Sequence, residues 1–517
     1  MNVQMIAGID PGDIATLSEE RVTGGSGERS LRETSEACNR SSFVRHAVIH
    51  SLANLLALVC SGILTFLIPR RLSMEGYGYY RLFVLYGGFA GVLHFGLPDG
   101  ALIRWAARPK QRIRGEMLSG LVFLVLQHLI FLVPALAILA LLFRYHWWFL
   151  PAAALLLYAL VWNAAALGQF ALQADKSFGW LSAVIILNPA LLLGFVVLLS
   201  HRRHLTLPAL LGGCIGIWLA VGAAGWAVLL TKYHGKIRNV RHVWEVGAHN
   251  IRVGWSVLLA GLLTTVVLSL DRVAVSASFG IRDFAVYGFA ANALAVVNTI
   301  ILSVSRVVFP YLSDGLTQEF RSRAYWWGEA CLVGLWAISL AGYFPLRWLI
   351  MRLLPDYLSS LPVLRLLMLT TGMTAVIYIL HTNYFRNALR LRQLLLGCAG
   401  GLLAALVLLT LARRTGQLSM MALAMMGAIG VWWLLNELLL QPLTGGNARN
   451  LVRTILVYAG CGLWFVFCSS WPNQLVATLA YLAVASLAVF LAYRSVLRTV
   501  PVLRVSPPAS VSLGSSE

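Results

Sequence analysis

His94, Asp99 and Arg104 follow one another at five-residue steps inside an otherwise apolar run from Leu82 to Trp105. A carboxylate so placed can carry a proton or pair with a cation, an imidazole can accept or donate a hydrogen bond, and a guanidinium can hold an anion. Pro98 stands before the aspartate and lacks a backbone donor, so a helix is expected to kink or open there. Carbonyls freed by such a kink would suit a coupling cation, and Asp99 a proton. The plainer alternative is a salt bridge from Asp99 to Arg104 or to a neighbouring residue. His94 and Asp99 also have the H-x4-D spacing of a general base and its partner. Over a helical turn apart in an apolar run, with no cofactor site nearby, they do not suit that chemistry. Gly87, Gly91, His94 and Pro98 lie instead on one stripe suited to close helix packing.

Three further polar faces emerge at helical spacing. Asn292, Thr299, Ser303 and Arg306 stack on one side of a helix, as do Arg252, Ser256, Ala260 and Thr264 with Asp271 beyond, and Thr370, Thr374, Tyr378 and His381. Together they could form a cavity wall; the alternative is that small and hydroxyl residues pack helices and bond across them. The candidate substrate-binding residues are therefore Arg81, Arg104, Asn292, Thr299, Arg306, Tyr378 and His381. Asp99, Asp271 and Arg272 are candidates for coupling or gating. The Asp271-Arg272 pair would close an outer gate by meeting Arg81 or Glu75, whereas most of the arginines near span ends have snorkelling to the headgroups as their ordinary role. Gln127 and His128 read as interhelical hydrogen-bonding residues. No residue set suggests a catalytic or metal site.

The elements that must position these groups are membrane spans. Of 517 residues, 59% are hydrophobic and 12% charged, and the mean hydropathy is +0.77. A soluble chain could not bury so much apolar surface, so an all-α polytopic membrane protein is expected. Fourteen apolar spans are legible: 44–68, 82–104, 115–143, 147–172, 179–200, 207–231, 251–270, 284–310, 325–350, 361–385, 393–412, 418–441, 453–470 and 474–493. About two-thirds of the 40 Lys and Arg fall on the side of the N-terminal tail, which predicts that both tails are cytoplasmic. The net charge of +20 is then explained by loops lying on anionic lipid, and nucleic acid is not an expected partner. Six of the seven cysteines fall in apolar spans without a CxxC pair and read as small core residues. The polar residues 1–43 read as a disordered tail without a signal peptide.

An internal repeat organises the spans. Glu75-Gly-Tyr-Gly-Tyr79 opens the second span and Asp283-Phe-Ala-Val-Tyr287 the eighth. Both begin with an acid and reach a Tyr four residues on, six spans apart, which suggests two parallel six-helix repeats. The expected organisation is a tail (1–43), an N-lobe (44–231), a cytoplasmic linker (232–250), a C-lobe (251–441), two additional helices (442–495) and a cytoplasmic tail (496–517).

The run LSMEGYGYYRLFVLYGGFAGVLHFGLPDGALIR resembles the second-helix signature of Wzx-type polysaccharide flippases. LDRVAVSASFGIRDFAVYGFAANALAVVNTIILSVSRVVFPYLS resembles the seventh and eighth helices of that family, and LLPDYLSSLPVLRLL the segment before the tenth. The resemblance, over roughly 44–441, implies a member of the multidrug, oligosaccharidyl-lipid and polysaccharide (MOP) exporter superfamily. It implies a MATE-like arrangement of two lobes, alternating access, and transfer of a lipid-linked oligosaccharide of undecaprenyl-pyrophosphate type from the cytoplasmic to the periplasmic leaflet of the bacterial inner membrane. Surface polysaccharide such as O-antigen or exopolysaccharide would be the end product. The implied partners are that cargo, membrane lipids and polysaccharide polymerase or assembly proteins. No cofactor is expected beyond a coupling proton or sodium ion, and no bond is expected to change. Two other readings stay open: a MATE-like cation-coupled exporter, which would want a more acidic cavity, and an integral membrane glycan ligase or acyltransferase, for which the outer loops are short.

Overall fold

Residues 52–106, 110–146, 148–233, 239–313 and 318–497 of the computed structural model are described; they are helical throughout, with no strand among them. Thirteen helices are long and apolar enough to cross a bilayer, and one further pair does so together across a bend. These fourteen elements follow the fourteen apolar runs in order. Helices meet the requirement that every backbone polar group in lipid be satisfied within the segment.

The chain divides into two compact units, Met1–Val296 and Val297–Glu517. The first holds α1 (Leu52–Arg71), α2 (Met74–Gly87), α3 (Leu97–Ala106), α4 (Lys110–Phe143), α5 (Phe149–Ala174), α6 (Phe178–His201), α7 (Leu207–Lys232) and α8 (Val240–Ser278). The start of α9 (Ile281–Ser313) also belongs to it. Ser73 caps α2 by accepting from the Gly76 N–H, and Glu75 lies in its first turn, where a negative charge complements the helix N-terminus. Asp283 does the same in the first turn of α9. The two repeat segments thus begin alike, and Gly78 of one lies directly on the Ile281 carbonyl of the other. α8 begins well before the apolar run at 251, its N-terminus capped by Asn239.

The second span is broken. After α2 comes a short 3-10 turn, Ala90–His94, then Phe95 and Gly96 in left-handed conformation. The two helical parts meet at 57°. Pro98, expected to kink the helix, sits harmlessly in the first turn of α3, where its missing N–H has no intrahelical partner to lose. The bend is made before it. α3 then lies on α8 at very close range: a Cβ added at Gly100 would stand 1.9 Å from the Asn250 carbonyl oxygen, and one at Gly254 1.9 Å from that of Gly96. Leu97, Ala101 and Trp105 of α3 pack with Phe123, Leu167 and Trp226 in the interior of this unit. In lipid such contacts hold by fit and hydrogen bonding, since burial there excludes little water.

The second unit contains α10 (Gln318–Leu340), α11 (Tyr343–Leu353), α12 (Leu361–Val376), α13 (Thr382–Asn387), α14 (Leu391–Arg413), α15 (Leu418–Thr444), α16 (Ala448–Ser469) and α17 (Gln474–Leu497). α12 and α13 form one span interrupted by a π-turn, Ile377–His381. An extra residue in the helical ladder is a recurrent mark of sites where a side chain must be aimed off the regular register. Leu141 and Leu463, 80% and 73% exposed, show that the outer surfaces are suited to lipid contact.

Candidate functional site

In the first unit the helix break is sealed by side chains. Asn163 Nδ2 donates to the Ala90 carbonyl at 2.9 Å and Gln127 Nε2 to that of Leu93 at 2.8 Å. Two carbonyls beside the break are thus capped by side-chain amides. His94 is buried, its Nδ1 accepting from the Gly96 N–H at 3.0 Å. His128 and Asn163 bond each other at 2.8 Å, in keeping with an interhelical role for this pair. Asp99 is half-buried in the first turn of α3 and makes no ion pair among the described residues. The expected Asp99–Arg104 bridge is not formed. Arg104 instead reaches Glu116 Oε2 at 3.2 Å and Asn250 Oδ1 at 2.5 Å, because the two ends of this cationic side chain meet α4 and α8.

Arg81 is buried on α2, its stem lying along Gly288 and its Nε without a hydrogen-bond partner among the described residues. It borders a small cavity of about 100 Å³ with Arg272, Thr265 and Ser269. Arg272 also donates to the Leu268 carbonyl at 2.6 Å and to Ser269 Oγ at 3.1 Å. Asp271 accepts from the Tyr287 hydroxyl at 2.8 Å and lies 3.6 Å from Arg272 Nε. Glu75 pairs with Arg282 at 3.0 Å on the surface. The expected gate, Asp271-Arg272 with Arg81 or Glu75, is thus not assembled in this conformation. What is assembled is a recess with two guanidinium groups and two hydroxyls, whose chemistry suits an anion.

The remaining sequence candidates scatter. Asn292 donates to Thr65 at 2.9 Å, joining α9 to α1. Thr299 is exposed, and the Arg306 side chain lies outside the described residues. Thr370 and Thr374 bond carbonyls of their own helix at 2.6 and 2.8 Å. The Tyr378 carbonyl accepts from Ser305 Oγ at 2.6 Å, and its ring meets that of Trp432 edge-on.

His381 is different. The π-turn directs it into a buried polar cluster of the second unit. Its Nε2 lies 3.0 Å from Glu437 Oε1 and 3.1 Å from the Tyr325 hydroxyl, which itself donates to Glu437 Oε1 at 2.6 Å. Glu329, 1% exposed, faces Glu437 with Arg453 and Thr454 beside it. Thr454 in turn bonds the Tyr493 hydroxyl at 2.9 Å. Sequence reasoning singled out His381 but neither glutamate. The available signal was a lone acid inside each of two apolar spans, a costly placement in lipid.

A second cavity in this unit has the opposite character. About 580 Å³ in volume, it lies between α12, α15 and α16 and is walled by Trp336, Leu369, Met373, Trp433, Tyr458 and their apolar neighbours.

The helices together define an all-helical multi-pass membrane protein. The solved structure "Lipid II flippase MurJ, inward closed conformation" is similar to this chain at TM-score 0.66 and 12% identity, covering 88% of this chain and 100% of that one. An inward-facing multidrug resistance MATE family transporter of the MOP superfamily is similar at TM-score 0.51 and 17% identity, covering 77% of this chain and 96% of that one. The fold is the one these two transporters share. No protein-family model and no curated protein sequence matches the chain.

Proposed function

We infer that the protein is a flippase that carries a lipid-linked oligosaccharide from the cytoplasmic to the periplasmic leaflet of a bacterial inner membrane, for surface polysaccharide synthesis. The observation that carries this reading is the likeness to the lipid II flippase, which takes in all of that chain. Two features of the molecule support the same cargo class. The recess at Arg81 and Arg272 suits an anionic headgroup. The apolar cavity between α12, α15 and α16 suits a prenyl-type chain. In this reading two six-helix lobes alternate in access, both tails are cytoplasmic, Asp271 and Arg272 act at the gate, and the cargo is translocated without any bond being made or broken.

A cation-coupled exporter of small molecules is the second reading, favoured by the buried Glu329 and Glu437, since it asks for acidic groups in the bundle. A deletion strain separates the two. The flippase reading expects undecaprenyl-linked glycan trapped in the cytoplasmic leaflet and surface polysaccharide lost. Normal surface polysaccharide with no trapped intermediate would overturn it.

A further inference from the structure

We propose that Glu329 and Glu437, with His381 as the positioning partner, form a site in the second unit that binds and releases a single proton. The site would supply the coupling ion of a transporter and so rests on the transporter reading above.

The argument begins with the count of donors. Glu437 Oε1 already accepts from Tyr325 and lies within hydrogen-bond distance of His381 Nε2. Glu329 faces it, almost wholly buried; the Thr454 hydroxyl stands beside it, but among the described residues neither of its carboxyl oxygens is held by a well-formed hydrogen bond. Two carboxyl groups that face each other with no donor between them lack one thing, which is a proton.

Charge leads to the same place. The cationic neighbour of the glutamates is Arg453, whose guanidinium lies 4.6 Å from the centre of the Tyr493 ring. With both glutamates ionised and His381 neutral, the cluster would hold one negative charge in excess, an unfavourable state in lipid. One proton restores neutrality. The other titratable groups around the site are phenols: Tyr325 and Tyr384 on one side, Tyr458 and Tyr493 on the other. Of these, Tyr325 donates to Glu437, and a phenol hydroxyl carries no charge.

A metal cation fits less well. Arg453 would repel it, and among the described residues no three His, Cys, Asp or Glu are placed to hold a metal ion. Access is short. Glu437 lies seven residues before the end of α15, roughly 10 Å along the axis. The π-turn matters because it aims His381 at Glu437, which a regular helix through 377–381 would not do.

The test is an infrared pH titration of the full-length protein, purified in detergent without cargo and followed through the carboxylic-acid C=O band. A protonated-carboxyl band should grow in as the pH falls in wild type. It should be lost in Glu329→Gln and in Glu437→Gln and kept in Asp356→Asn, which alters an exposed acid. His381→Gln should shift its midpoint without removing it. No titrating band in wild type, or a band retained in both Gln variants, overturns the proposal. So does a band abolished when sodium replaces potassium, since that marks a sodium site. If a Gln variant fails to purify, labelling of wild type with a hydrophobic carbodiimide decides. An adduct on Glu329 or Glu437 that declines as pH rises is expected, and its absence overturns the site. Trapped glycan in a deletion strain tests the cargo independently, so the two readings fail separately.

Discussion

The break between α2 and α3 and the π-turn between α12 and α13 interrupt two membrane spans, and they are completed by different chemistry. Around the first, the backbone is closed by two amides and an imidazole: Asn163 and Gln127 bond the Ala90 and Leu93 carbonyls, His94 accepts from the Gly96 N–H, and Gly96, Gly100 and Gly254 bring the chains into contact. Around the second the backbone is also satisfied, with Thr382 Oγ1 on the Ile377 carbonyl at 2.9 Å and Asn383 Nδ2 on that of Ile379 at 2.9 Å. Yet this turn delivers His381 to two buried carboxyl groups with no donor between them. An irregular backbone in a bilayer is therefore not in itself a site. The distinction lies in whether charge is left for a ligand to complete.

That contrast can be broken most directly at the glycine contact. Gly254→Val would push a side chain into the Gly96 carbonyl, and it should destabilise the protein by about 3 kcal/mol or more. Size-exclusion profiles and melting in detergent will report the loss, and a variant that elutes and melts like wild type would refute the close packing. Next in size, Glu437→Gln should lower export per folded molecule about tenfold, a barrier change of about 1.4 kcal/mol, with melting little altered. Unchanged export across a range of pH would make the second break as inert as the first. Asn163→Leu should do the reverse, reducing stability by about 1 kcal/mol through the orphaned Ala90 carbonyl while export per folded molecule is maintained. A transport defect without a stability defect would erase the distinction. Arg282→Gln, which opens the exposed pair with Glu75, should change stability by under about 0.5 kcal/mol. Repeating that melt in high salt should abolish even this difference.

The fourteen spans were legible because hydropathy along a chain is a local property, and the positions of Glu75 and Asp283 in their first turns follow from the same kind of local chemistry. The site was much less legible. Pro98 drew attention to itself, but the bend came from Phe95 and Gly96, which lie against Phe131 of α4 and Gly254 of α8. Thr370 and Thr374 recur at helical spacing, yet their hydroxyls turn back onto their own carbonyls, an option open to any such residue in a helix. Arg104 had a nearer acid in Asp99 along the chain, but five residues apart on α3 the two point about 140° away from each other, and Glu116 of α4 is its partner. His381 was visible as a polar residue in an apolar span. That it meets Glu437 and Tyr325 depends on three helices packing together, which no spacing along one of them encodes.

The π-turn has a consequence for how this chain could change over generations. Removing one residue from a regular membrane helix rotates all that follows by about 100° and scrambles its faces. Between Ile377 and Leu380 the ladder already holds one residue too many. A single-codon deletion there would restore regular winding and leave both flanking helices in phase, with only His381 swung away from its partners. The spare residue is thus a place where a lineage could lose the buried histidine contact in one step and keep the helix.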